Sequence, residues 1–160
     1  MTYKLYGGPG SPYSHKLRAV LRYRRIPHTW LVPQGGFTGT GALGADGASS
    51  PLQRAGKPVI PVLAYPDGSF KADSTPIMYD LEARHSERSL VPPDRALAFL
   101  AHLIEDMADE YLPIPMFYFR WTDDKQWCAR RQMIGWTGAI DDAQLETMAT
   151  SFLDRQTGQL

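Results

Sequence analysis

The sequence has a single cysteine, Cys128, among 160 residues, and a lone thiol forms no internal disulfide. It carries no net charge, because 17 Lys and Arg balance 17 Asp and Glu, so there is no global field to recruit nucleic acid or an anionic membrane surface. No apolar run approaches the roughly 20 residues that span a bilayer; even Leu112 to Phe119 is interrupted by Pro113 and Pro115. Met1 leads into a polar strand pattern rather than a basic then apolar signal segment. His28, His85 and His102 show no metal spacing with one another or with Cys128. The expectation from these absences is a soluble protein of the reducing cytoplasm, with no nucleic-acid partner, no membrane partner and no metal.

What is present reads as alternating elements. Tyr3–Tyr6 is a short strand pattern closed by Gly7-Gly8-Pro9-Gly10. Ser11 stands where a helix N-cap belongs and Pro12 at the first helical position, where its missing N–H costs nothing. Leu17, Val20 and Leu21 then recur at helical spacing up to Ile26-Pro27, and His28 to Val32 is a second strand. Ile60–Tyr65 and Ser69–Lys71, joined by Pro66-Asp67-Gly68, form a hairpin pattern. Asp73, Ser74 and Thr75 are able to cap a helix whose buried stripe is Ile77, Met78 and Leu81. The order β-α-β-loop-β-β-α is that of a thioredoxin-like α/β domain, placed at residues 1–88.

Between Gly35 and Gly56 stand seven of the fourteen glycines and almost no apolar periodicity, which reads as a mobile loop. Gly39-Thr40-Gly41-Ala42-Leu43-Gly44 matches a dinucleotide fingerprint by letters alone. With no strand immediately before it and no helix after, nucleotide is not expected to bind. After Val91-Pro92-Pro93-Asp94, a partial all-α domain is expected at 94–160. Its parts are an amphipathic helix to about Tyr111, a break at Pro113 and Pro115 before the aromatic run 117–121, and helical patterns over Asp124–Gly135 and Asp141–Arg155.

An ordered trio carries the chemistry: Ser11-Pro12-Tyr13-Ser14-His15-Lys16-Leu17-Arg18, Val59-Ile60-Pro61-Val62-Leu63 and Asp73-Ser74-Thr75-Pro76. A thiol with a pKa near ~8.5 is about 3% ionised at pH ~7, and lowering that pKa by about two units requires about 2.7 kcal/mol of preference for the anion. One hydroxyl hydrogen bond to a charged sulfur supplies about 1.5–3 kcal/mol, and a helix N-terminus about 0.3–1. Ser11 is placed to offer both, or else only caps its helix. Pro61 is either a structural trans proline or a cis one that turns Ile60 outward to pair with a peptide ligand. Asp73 and Ser74 suit the other end of such a ligand, or serve only as caps. Tyr6 is a second candidate donor or a packing residue. His15, four residues after Ser11, has no orienting acid for a hydrolase triad.

On these motifs, Met1 to about Glu87 resembles the amino-terminal domain of the glutathione S-transferase superfamily, and Ala96 to about Trp121 resembles the start of that family's helical domain. The resemblance implies Ser11 as the thiol-activating residue, with Tyr6 as the alternative. It implies Tyr13, Ile60, Pro61, Asp73 and Ser74 as glutathione-binding, Pro61 as a cis proline, and Asp73-Ser74 on the γ-glutamyl group. Lys57 is a candidate for the glycine end, and Tyr118 and Trp121, with Arg120 and Trp127 nearby, for a second-substrate pocket or simply for core. Glutathione is then the co-substrate, attacking a small electrophile, and a homodimer is a possible assembly. Three departures stand out. Ser11-Pro12-Tyr13-Ser14 has the outline of a glutaredoxin motif without its cysteines, so dithiol exchange there is impossible. The glycine-rich loop replaces a short helix, and the helical domain is expected to stop after three helices, as a truncated or minimal relative. Two alternatives follow: a glutathione-binding or interaction module without useful turnover, and a glutathione-dependent reductase or isomerase.

Overall fold

A computed structural model describes residues 2–32, 50–57, 59–137 and 140–158. The chain divides into two units, Met1–Pro92 and Pro93–Leu160. The first is built on four strands, β1 (Tyr3–Tyr6), β2 (His28–Leu31), β3 (Val62–Ala64) and β4 (Phe70–Ala72), in the sheet order β2-β1-β3-β4. β1 runs parallel to β2 and antiparallel to β3, and β3 pairs antiparallel with β4. Helices α1 (Pro12–Tyr23) and α3 (Ser74–Arg84) join a single core, in which Leu17, Val20 and Leu21 pack with Ile77, Met78 and Leu81 and with Tyr3, Leu5, Leu63 and Tyr65 of the sheet. Period-2 alternation in β1 explains the sheet side: Tyr3 and Leu5 are buried while Lys4 between them is exposed. The first unit is a thioredoxin-like fold.

Pro61, lacking an N–H for the ladder, precedes β3 rather than opening it, so that strand begins two residues later than the sequence pattern suggests. The turn Tyr65–Gly68 closes with Gly68 N–H donating to Tyr65 O at 3.0 Å, and Gly68 takes φ +87°, which favours glycine. The loop expected up to Gly56 is corrected at its far end, where α2 (Pro51–Ala55) forms. Ser50 and Gln53 make a reciprocal capping box there: Gln53 N–H donates to Ser50 Oγ at 3.2 Å, and Ser50 N–H to Gln53 Oε1 at 2.9 Å. Such a helix rests on its cap and shows no apolar period. The fingerprint at 39–44 lies outside the described residues.

Two polar clusters lock the first unit. Arg24, whose side chain is fully buried at the end of α1, pairs with Glu82 of α3 and donates to His85 O. Glu82 also accepts from Ser89 Oγ at 2.8 Å and from Leu90 N–H at 3.0 Å. One carboxylate therefore joins α1, α3 and the segment leaving the domain. The second cluster centres on Asp80, which Lys71 and Arg84 contact, Arg84 Nε at 2.7 Å. Burial works against its ionisation, but the hydrogen bonds from its cationic neighbours prevail and hold its carboxyl below the usual range. Burial, and then the Asp80 charge, push the Tyr65 phenol far above its ordinary value.

The second unit contains α4 (Arg95–Asp106), a π-type segment Met107–Tyr111, α5 (Pro113–Thr122), α6 (Lys125–Thr137) and α7 (Asp142–Thr157). Asp94 and Asp141 cap α4 and α7, accepting from Leu97 N–H at 2.9 Å and Gln144 N–H at 2.8 Å. The expected three helices are corrected to four α-helices among the described residues. The aromatic run 117–121 is itself helical, because Pro113 sits in the first turn, where prolines are tolerated. Trp121, Ala129, Met133, Trp136, Leu145, Ala149 and Leu153 are the unit's buried apolar residues. α4 buries none of its residues, and Phe99 and Ile104 are 64% and 61% exposed. Among the described residues no helix is long and apolar enough to cross a membrane.

Two outcomes are expected. Arg24→Met strands the Glu82 carboxylate and lowers stability by about 3–5 kcal/mol in urea titration, whereas Arg24→Met with Glu82→Leu recovers much of the loss. The depressed Asp80 pKa contributes stability that is present above the unfolded-state carboxylate value of about 4 and lost as pH falls through the lower folded value. The wild-type melting temperature therefore drops more steeply below pH about 4 than that of Asp80→Asn, which starts lower at neutral pH.

Candidate functional site

The turn between β1 and α1 is held from three sides. Gly7 N–H donates to Leu31 O at 3.0 Å, Ser11 N–H to Gly8 O at 3.0 Å, and Gly8 N–H to the buried Ser14 Oγ at 3.2 Å. A Cβ at Gly7 would stand 2.8 Å from both Ser14 Cβ and Trp30 Cη2, so only glycine fits the closest approach. His15 Nε2 lies 2.7 Å from Pro9 O; a carbonyl only accepts, so that nitrogen carries the proton. The His15 ring stacks on Trp30, whose face also meets Arg18 at 4.9 Å.

This bracing presents Ser11 at the head of α1. Its Oγ accepts from Ser14 N–H at 3.2 Å. That capping bond uses an oxygen lone pair and leaves the hydroxyl proton to donate elsewhere. Capping and donation to a thiolate are therefore compatible roles for one side chain. Tyr13, next but one in sequence, is partly buried on the first turn of α1.

The second part of the site joins the start of β3 to the start of α3. The Ile60–Pro61 peptide is cis, and Pro61 O accepts from Asp73 N–H at 3.0 Å. Among the described residues the N–H and C=O of Ile60 take no part in a backbone hydrogen bond. Asp73 is the N-cap residue of α3, yet its side chain makes no capping bond and its φ is +84°. A non-glycine residue in such a conformation costs of order 1–3 kcal/mol. Lys57 Nζ lies 3.7 Å from Asp73 Oδ2, an exposed pair of little energetic weight.

Ser74 is 1% exposed, and its Oγ has no hydrogen-bond partner among the described residues. An unsatisfied buried hydroxyl is unfavourable by about 1–3 kcal/mol, and this one stands on the first turn of a helix, where backbone N–H groups attract an anion. Beside it, Lys16 Nζ of α1 donates to Thr75 Oγ1 at 2.7 Å. That bond links the helix headed by Ser11 to the helix headed by Ser74.

The other sequence candidates separate. Tyr6 stacks on Phe70 with ring centroids 6.5 Å apart, and Arg54 of α2 covers Phe70 at 3.8 Å. Its ring thus takes part in packing between β1, β4 and α2. In the second unit, Trp121 is buried with its edge against Phe117 and Phe152, at centroid distances of 6.1 and 5.6 Å, whereas Tyr118, three residues earlier, is 54% exposed. One is core and the other is surface, so the pair forms no common wall. The arrangement of Gly8, Ser14, Lys16 and Thr75 was not legible in the sequence. A serine three residues before the apolar stripe that starts at Leu17 was its only trace.

The family model described as "Glutathione S-transferase, N-terminal domain" matches residues 5–89. Among solved structures, a glutathione S-transferase of Methylobacterium radiotolerans in complex with glutathione sulfonate is similar at 19% identity and a TM-score of 0.60, over 99% of this chain and 65% of that one. A glutathione S-transferase of Methylobacillus flagellatus with GSH bound is 21% identical, with a TM-score of 0.54, over 99% and 68%. A beta-etherase of Sphingobium is 20% identical, with a TM-score of 0.63, over 98% and 60%. These likenesses show the fold, and the chain spans about 65% of the length of the first. No curated protein matches. Because the family model covers more than half of the chain and the thioredoxin-like unit carries the matching strands and helices, the chain belongs to the glutathione S-transferase superfamily.

Proposed function

We propose that the chain binds glutathione on its first unit and activates the thiol at Ser11 for attack on a small electrophile. The observation that carries this reading is the buried, unpartnered Ser74 hydroxyl on the first turn of α3. The γ-glutamyl carboxylate supplies the acceptor that this hydroxyl lacks, and the helix N-terminus adds its positive end. Asp73, with its carboxylate released from capping, pairs with the ligand's ammonium. Ile60 offers N–H and C=O to the peptide in the manner of an added strand. Lys57 and Tyr13 flank the ligand as weaker contacts. The solved structures with glutathione sulfonate and GSH support the ligand class.

In the reaction, the thiol proton leaves to solvent and the sulfur stays as thiolate against the Ser11 O–H and the positive end of α1. The thiolate sulfur then forms a bond to an electrophilic carbon, and the leaving group departs with its electron pair. No general base is needed, because stabilising the anion by about 2.7 kcal/mol already places most of the thiol in the reactive form at neutral pH.

Calorimetric titration of glutathione, followed by thiolate absorbance of the complex against pH, tests both halves. Ser74→Ala lowers glutathione affinity by about tenfold to a hundredfold, as expected for one hydrogen bond to a charged group. Ser11→Ala retains binding but returns the bound thiol toward its free pKa of about 8.5, with a matching loss of rate against a chromogenic electrophile at neutral pH. Absence of binding at about millimolar glutathione would sink the reading.

A further inference from the structure

We propose that His15 is a positioning residue for thiol activation, fastening the turn before Ser11 in one arrangement so that the Ser11 hydroxyl meets the sulfur already aligned. The inference rests on the glutathione-binding reading and concerns its activating half. His15 lacks an orienting acid for a hydrolase triad, and its ring has a different partner. It grips the chain on both sides of Gly10: its backbone N–H donates to Ser11 O at 3.1 Å, and its Nε2–H donates to Pro9 O at 2.7 Å. The first bond is the one that any N-cap carbonyl accepts from its helix. The second is a side-chain bond that the helix itself does not require.

The carbonyl it holds is the one free to turn over. Gly8–Ser11 is a turn closed by Ser11 N–H donating to Gly8 O at 3.0 Å, with Pro9 and Gly10 at its two central positions. Proline suits the first central position of both type I and type II turns, and glycine accepts either sign of φ at the second. The two types share the closing bond and differ by a flip of the central peptide, whose carbonyl here is that of Pro9. Pro-Gly therefore leaves both arrangements open, and the His15 ring bonds to one of them. Stacking on Trp30 of β2, with centroids 6.3 Å apart and planes inclined by 23°, steadies the ring against that oxygen. Ser11 follows the turn directly as the extended N-cap of α1, with its Oγ accepting from Ser14 N–H at 3.2 Å. A donor stabilises an anion best when it needs no reorganisation, and a small misplacement weakens its effect. Dividing the turn between two arrangements spreads the direction of the Ser11 hydroxyl, while Ile60, Asp73 and Ser74, which serve binding, belong to another part of the chain. Loss of the brace therefore weakens activation and spares affinity.

Two variants separate the donor from the ring. His15→Phe keeps an aromatic ring for Trp30 and removes the donor, whereas His15→Gln removes the ring and keeps an N–H of similar reach. Each is titrated with glutathione by calorimetry, the thiolate absorbance of the complex is followed against pH, and kcat and KM are measured with a chromogenic electrophile at neutral pH. His15→Phe is expected to lower the bound thiolate fraction at neutral pH, and kcat with it, by about twofold to fivefold, with glutathione affinity within about twofold of wild type. His15→Gln recovers most of both. Circular dichroism melting of each variant confirms that it is folded. The reverse pattern, with His15→Gln impaired and His15→Phe normal, assigns the ring to packing on Trp30 and overturns the proposal, as does a loss of affinity that accounts for the loss of rate. Failure of the wild-type chain to bind glutathione sinks the binding reading and this inference with it, whereas intact binding with an unaltered thiolate in folded His15→Phe overturns this inference alone.

Discussion

The packing of α1 and α3 into the one core of the first unit is the constraint on which the rest of that unit depends. Leu17, Val20 and Leu21 of one helix meet Ile77, Met78 and Leu81 of the other over Tyr3, Leu5 and Leu63. Truncating any one of these large side chains would cost about 2–5 kcal/mol. Once the two helices share a core, Arg24 and Glu82 pair between them at one end and Lys16 and Thr75 at the other. The heads of the helices, carrying Ser11 and Ser74, are then held by the same framework.

Polar groups near those heads show a consistent division of labour. Ser14 and His15 use their side chains to satisfy the backbone of the Gly7–Gly10 turn. Ser11 caps α1 through a lone pair and keeps its proton. Asp73 and Ser74 depart from the usual pattern: a cap residue makes no capping bond, and a buried hydroxyl makes no bond among the described residues. Native structures satisfy the large majority of buried polar groups, so departures of this kind are where ligands are sought first. In the second unit, the buried apolar residues lie on α5, α6 and α7, and α4 contributes none.

Much of the first unit was legible from local rules. The turn Pro66-Asp67-Gly68, the N-cap and N1 pair Ser11-Pro12 and the stripe Ile77, Met78 and Leu81 each act over a few residues, and each formed as expected. The helix at Pro51–Ala55 was missed because its capping box, not an apolar period, holds it. The break expected at Pro113 and Pro115 is instead the start of α5, because proline was weighed as a helix breaker rather than as a first-turn residue. Tyr118 and Trp121 illustrate the limit of pattern reading at a site. Three residues apart, they differ in burial because Phe117 and Phe152 close over only one of them.

The sequence by itself determined α1 and α3, the Ser11 cap, the turn Pro66-Asp67-Gly68 and the order of the three motifs, because backbone sterics, capping and apolar periodicity act between near neighbours in the chain. Only the tertiary structure decided that Pro61 O meets Asp73 N–H, that Lys16 reaches Thr75 across 59 positions, and that Arg24 is buried against Glu82. Those contacts join residues far apart in sequence. Their geometry follows from how helices pack on a twisted sheet, which no local rule of spacing encodes.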